Sequence, residues 1–185
     1  YVIKNAAGED KTANFTNVEK VDGTLTVNPK AVTITTGSDS KAYDGTPLTK
    51  AEASIEGLVD ADKDVVTVTA TGSQTEVGTS SNTYSITWGT TNKDNYTVTE
   101  ELGTLTVTAN STEVTLTAAS DSKTYDGSAL TNATVTASGL PEGFTVTATA
   151  SGSQTNAGSS TNVVNDGYVI KNAAGEDKTA NFTNV

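Results

Sequence analysis

The chain of 185 residues is acidic, with a formal charge of −11 and a pI near 4.2, and only 34% of it is hydrophobic and 5% aromatic. It has no Arg, His or Cys. Scattered Lys residues give no cationic footprint for nucleic acid or an anionic membrane surface, disulfides are excluded, and the missing imidazole and thiol argue against an enzyme.

In chain order, residues 1–18 read YVIKNAAGEDKTANFTNV, and the same letters recur at 168–185. The stretch NFTNVEKV–DG–TLTV (14–27) predicts a closing hairpin, because Asp22-Gly23 suits a two-residue turn with positive φ. The equivalent stretch at 95–107 is NYTVTEELGTLTV, also read as a hairpin. VTITT (32–36) alternates apolar and Thr, the pattern of a half-buried strand. LTKAEASIEGL (48–58) allows one short helix, whereas its counterpart LTNATVTASGL (130–140) is too rich in β-branched residues for one. VVTVTAT (65–71), GTLTVT (103–108), VTLTA (114–118) and FTVTATA (144–150) predict further strands, with Val66, Val68 and Ala70 facing inward. No apolar run of membrane-spanning length occurs, so no membrane insertion is expected in this segment.

The strands belong to internal repeats. SDSKAYDGTPLT (38–49) matches SDSKTYDGSALT (120–131), and VTVTATGSQTEVGTSSN (66–82) matches VTATASGSQTNAGSSTN (146–162). GTLTV stands at both 23–27 and 103–107, so the unit is about 80 residues long. The predicted division is 1–30, the C-terminal part of a preceding module; 31–110, a complete β module; and 111–185, a second β module lacking its last strand. That strand should read like VEKVDGTLTV (18–27), as if the chain were a window on a longer array. The linkers NPKA (28–31) and ANSTE (109–113) span at most about 17 Å, which predicts modules set end to end as a semi-rigid rod. An unpaired edge near Val185 is expected to accept the N-terminal segment of a neighbouring copy by β-strand addition.

The ordered motifs K-x-Y-D-G-x-x-L-T, G-S-Q-T-x-x-G and N-Y-T-V-T…G-T-L-T-V resemble the MBG/YDG-type tandem repeat domains of bacterial cell-surface adhesins. The resemblance implies all-β, elongated antiparallel modules, an Ig-like sandwich or alternatively a β-grasp-like fold. It also implies an extracellular place on the bacterial surface and a structural stalk or fibre role, with neighbouring modules or copies of the chain as partners. The alternative is a carbohydrate- or glycoprotein-binding adhesin module facing a host glycan or glycoprotein. The resemblance carries over no catalytic residues.

Candidate sites follow from residue type. Tyr43, Asp44 and Gly45, with Tyr125, Asp126 and Gly127, read either as ligand contacts or as turns; the turn reading is preferred, with Asp accepting backbone amides, Gly at positive φ and Tyr packed at the module edge. Trp88, the single Trp, with Tyr84 or Tyr96 is the candidate glycan contact. Asp60, Asp62 and Asp64 have calcium-loop spacing, but Val65 and Thr71 stand where such a loop wants Gly and Glu, so a solvated acidic loop is expected. No cofactor is predicted; calcium at a junction through Asp39, Glu113 or Asp121 stays open. Lys41, Lys123, Gln74 and Gln154 hold equivalent places in the two repeats and are candidates for an internal crosslink. Asn14, Asn95, Asn110, Asn132 and Asn181 head glycosylation sequons of the kind that abundant Thr produces by chance.

Overall fold

A computed structural model describes residues 1–185. Fourteen strands form small sheets of two or three strands, joined by turns and four single-turn 3-10 segments, so the chain is all-β. Residues 30–108 supply β1 (Lys30–Thr36), β2 (Asp39–Ala42), β3 (Ala53–Glu56), β4 (Thr67–Ala70), β5 (Gly78–Ser81), β6 (Tyr84–Thr87), β7 (Tyr96–Glu101) and β8 (Thr104–Thr108). Residues 115–171 supply β9 (Thr115–Ala118), β10 (Val135–Ser138), β11 (Thr145–Thr147), β12 (Ala150–Ser151), β13 (Val163–Val164) and β14 (Val169–Lys171). Every strand pairing lies within one of these two groups.

Two three-stranded sheets frame the first group, in the orders β3-β1-β7 and β2-β8-β5, beside the pair β4-β6. Burial alternates along β1, where Val32, Ile34 and Thr36 are buried, as the sequence pattern requires. The expected closing hairpin does not form. β7 runs parallel to β1 and β8 runs parallel to β2, so the sheets are mixed rather than purely antiparallel. The reason lies at Leu102-Gly103, where the chain does not reverse. Gly103 is a point of backbone contact: a Cβ there would lie 2.3 Å from the Gly37 carbonyl oxygen. Its N–H donates to Thr36 Oγ1 at 2.9 Å, and its carbonyl accepts from Asn82 N at 2.8 Å. The helix allowed over 48–58 is also absent; Ala53–Glu56 is a strand, because its alternate residues pack against β1.

In the second group, β9-β10 repeats β1-β3, while β11-β14 and β12-β13 together repeat β4-β6. FTVTATA thus divides into two short strands rather than one. Residues 121–124 and 158–161, the counterparts of β2 and β5, are not strands, because no counterpart of β8 lies between them.

The larger hydrophobic core straddles the two groups and holds Tyr43, Leu105 and Val107 together with Val114, Ile170 and Phe182. A smaller core of Val32, Leu58, Val66 and Tyr96 lies inside the first group. Residues 15–29 form no strand.

Candidate functional site

The Tyr-Asp-Gly turn is built identically twice. Asp44 Oδ1 accepts from Thr46 N at 2.9 Å, Thr46 Oγ1 at 2.8 Å and Lys41 Nζ at 2.7 Å. Asp126 Oδ1 accepts from Ser128 N at 2.9 Å, Ser128 Oγ at 2.8 Å and Lys123 Nζ at 2.9 Å. The Lys41 ammonium holds the Asp44 carboxyl down at about 2, and Lys123 likewise holds Asp126 well below the ordinary carboxylate range. Gly45 and Gly127 sit at φ of +80° and +81°, where any other residue would be strained.

The surroundings of the two turns differ. Tyr43 is 1% exposed and Tyr125 is 64% exposed. The Tyr43 ring meets Phe144 and Phe182 edge-on at 5.8 and 6.0 Å, and those two rings meet each other at 5.5 Å. Three mutually edge-to-face aromatics add to the area they bury. The first Tyr-Asp-Gly turn is therefore a plug in an aromatic socket made by the second repeat.

Polar contacts clamp the plug. Asn110, buried in the linker, donates its side-chain amide to the Tyr43 carbonyl at 2.9 Å and its backbone N–H to the Asn181 carbonyl at 2.8 Å. Val114 N donates to the Asn184 carbonyl at 2.8 Å, so the linker is pinned along residues 181–184. Across the junction, Lys178 Nζ lies 2.8 Å from Glu76 Oε1, and Asn181 reaches Glu76 Oε2 at 3.2 Å. Lys178 lowers the Glu76 carboxyl, and Glu76 raises the Lys178 ammonium.

The other candidates fall elsewhere. Trp88 is half-buried and stacks on Tyr96 at 5.7 Å against the smaller core. The Tyr96 hydroxyl donates to Asp62 Oδ2 at 2.6 Å and accepts from Val59 N at 3.2 Å; the Asp62 carboxylate raises the Tyr96 phenol. Tyr84 donates to Glu100 Oε1 at 2.6 Å and does not join the Trp88–Tyr96 stack. Asp62 thus holds Tyr96 and, through Oδ1, Thr91, while Asp60 pairs with Lys63. No three Asp or Glu side chains converge into a group that could hold a metal ion, Asp39, Glu113 and Asp121 included. Lys41 and Lys123 serve the turns, whereas Gln74 and Gln154 donate to the Glu76 and Asn156 carbonyls, so the crosslink candidates are engaged apart.

Sequence reasoning did not bring Phe144, Phe182, Asn110, Lys178 and Glu76 together: Phe182 and Lys178 stood there only as the copies of Phe15 and Lys11, and Asn110 only as the head of a sequon. It also passed over Asn82 and Asn162, although the aligned endings GTSSN and GSSTN held both. Asn82 Nδ2 donates to the Gly37 and Lys50 carbonyls, each at 2.9 Å, and its Oδ1 accepts from Gly72 N at 3.2 Å.

These features define an all-β repeat whose Tyr-Asp-Gly turn makes the joint to the block that follows. A YDG domain is found at residues 28–104, spanning β1 to the start of β8. No curated protein and no solved structure matches the chain. No helix is long and apolar enough to cross a membrane.

Proposed function

We propose that the chain is a structural stalk or fibre repeat of a bacterial cell-surface adhesin or extracellular filament, with blocks 31–110 and 111–185 set lengthwise as a rod and further copies added by β-strand complementation. The observation that carries this reading is the junction: the turn at Tyr43 is seated in Phe144 and Phe182 of the next repeat and clamped by Asn110. In a stacked repeat protein each unit draws stability from its neighbour, and an 80-residue unit buries only about 60–65% of its extended surface, so contacts between units add usefully to stability. A short, pinned linker limits swing at the joint, as a stalk requires.

The glycan-binding alternative rests on Trp88. One face of that ring is occupied by Tyr96, which leaves less of it for a sugar. The chemistry-poor surface also favours a mechanical role.

Electron micrographs of the parent protein on cells test the proposal. Extended beaded filaments with a period near one repeat are expected; compact particles, or an intracellular location, would overturn it.

A further inference from the structure

We propose that the first repeat is a tension-bearing lock, in which the strands where the chain enters and leaves form one parallel ladder that a pull on the chain loads in shear. This deepens the stalk reading above and rests on it for its purpose, since it names the part of the repeat that carries the pull.

Two runs of chain, residues 30–42 and 96–108, lie side by side through both three-stranded sheets. Lys30 to Thr35 pair with Tyr96 to Glu101, and Asp39 to Ala42 pair with Leu105 to Thr108, all in parallel. Every pair is 66 residues apart in sequence, so one register holds across the step from the first sheet to the second. Where the backbone ladder breaks at that step, side chains continue it. Thr36 Oγ1 accepts from Gly103 N and Ser38 Oγ accepts from Thr104 N, each at 2.9 Å. Gly103 lets the two backbones touch at the step, against Gly37. At the far end the Thr108 carbonyl accepts from Tyr43 N at 2.8 Å. The contour of the ladder is about 40 Å, at about 3.3 Å per residue.

The direction of the runs decides how they fail under load. The chain enters the repeat at Lys30, beside Tyr96, and leaves it at Thr108, beside Ala42. Entry and exit therefore sit at opposite ends of a parallel ladder, and tension between them slides one run along the other. The evenly spaced bonds of a parallel pair then share the load and must break together. Were entry and exit at the same end, the same tension would peel the bonds one at a time.

Neither run is free to slip alone. β1 is the middle strand of its sheet and is held on its other side by β3; β8 is the middle strand of the other sheet and is held by β5. Val32 and Ile34 of the entry run and Leu105 and Val107 of the exit run are fully buried. A slip of one residue would turn these side chains out of the core. The exit end of the ladder is also the joint, because Tyr43 carries the entry run straight into Phe144 and Phe182.

Single-molecule pulling of the full 185-residue chain tests this. The chain has no Cys, so introduced thiols give unique handles. Asn28→Cys with Ser111→Cys, both at exposed positions in the linkers, pulls entry against exit. Asn28→Cys with Asp94→Cys, also exposed, pulls both runs from the Lys30 end and peels the ladder. At one pulling speed the first geometry should unfold at about twice the force of the second or more, because forced unfolding follows the unfolding barrier. Ser38→Ala, at an exposed side chain, removes the acceptor of Thr104 N. It should lower the force in the first geometry and leave the second unchanged, because peeling passes its peak near Lys30 before it reaches Ser38. Equal forces in the two geometries would overturn the proposal, as would Ser38→Ala acting alike on both. A high entry-to-exit force beside compact particles on cells would remove the stalk reading and leave the lock standing. Extended filaments beside equal forces would remove the lock and leave the stalk.

Discussion

Residues 1–18 and 168–185 have one sequence and one local structure, yet only one of them is folded into a core. In each copy an isolated bridge closes a loop, between Lys4 and Asp10 or between Lys171 and Asp177. The Asn5 side chain accepts from Ala7 N and Glu9 N just as Asn172 accepts from Ala174 N and Glu176 N. A 3-10 turn follows at Thr12–Asn14 and again at Thr179–Asn181. Phe182 is 6% exposed, however, while Phe15 is 53% exposed. The loop is thus an autonomous local motif, and the aromatic that follows it acquires its role from whatever surface it meets.

Truncating the two aromatics should show the largest difference. Phe182→Ala removes a ring packed against Tyr43 and Phe144 and should destabilise by about 3–5 kcal/mol in denaturant unfolding. Phe15→Ala should change stability by no more than about 0.5 kcal/mol. Equal effects would mean that the leading copy also has a core to join.

The repeated asparagines sharpen the comparison next. Asn82→Ala strips three hydrogen bonds from a buried side chain and should cost about 2–4 kcal/mol. Asn162→Ala removes two and relieves an unpartnered oxygen, so about 1–2 kcal/mol is expected.

The turn glycines differ by less. Gly45→Ala and Gly127→Ala both place a side chain at positive φ, at about 1 kcal/mol each. At Gly45 the new Cβ would also meet the Phe144 ring at 2.8 Å, adding about 1 kcal/mol or more, whereas Gly127 has open space. Thermal unfolding of the two variants side by side reads the difference.

The smallest effect concerns pH. Asp44 ionises more readily folded than unfolded, at about 2 against 3.8. Its stabilising contribution is therefore complete above pH 4 and fades as pH falls from about 4 to about 2. The carboxylate is partly exposed, so Asp44→Asn should cost about 0.5 kcal/mol at pH 7 and nothing near pH 2, measured by denaturant unfolding at both values.

Much of the architecture was legible in the letters. Alternating Val and Thr marked β1, β4, β8 and β9 within a residue or two, since the pleat places successive side chains on opposite faces. Tyr-Asp-Gly was legible as a turn because Asp and Gly act on backbone within two residues of themselves. The pairing of β7 was misread: Asp22-Gly23 suggested a hairpin, and its counterpart Leu102-Gly103 serves a backbone contact with Gly37 from 66 residues away.

The sequence by itself determined the repeat, the strands and the turns, because each depends on hydrogen bonds and steric preferences among near neighbours. Only the tertiary structure decided that Tyr43 is a plug and Tyr125 is bare, that Phe182 is core and Phe15 is surface, and that β7 and β8 run parallel to β1 and β2. Burial is a property of two surfaces that meet, and identical letters carry no record of which partner stands opposite.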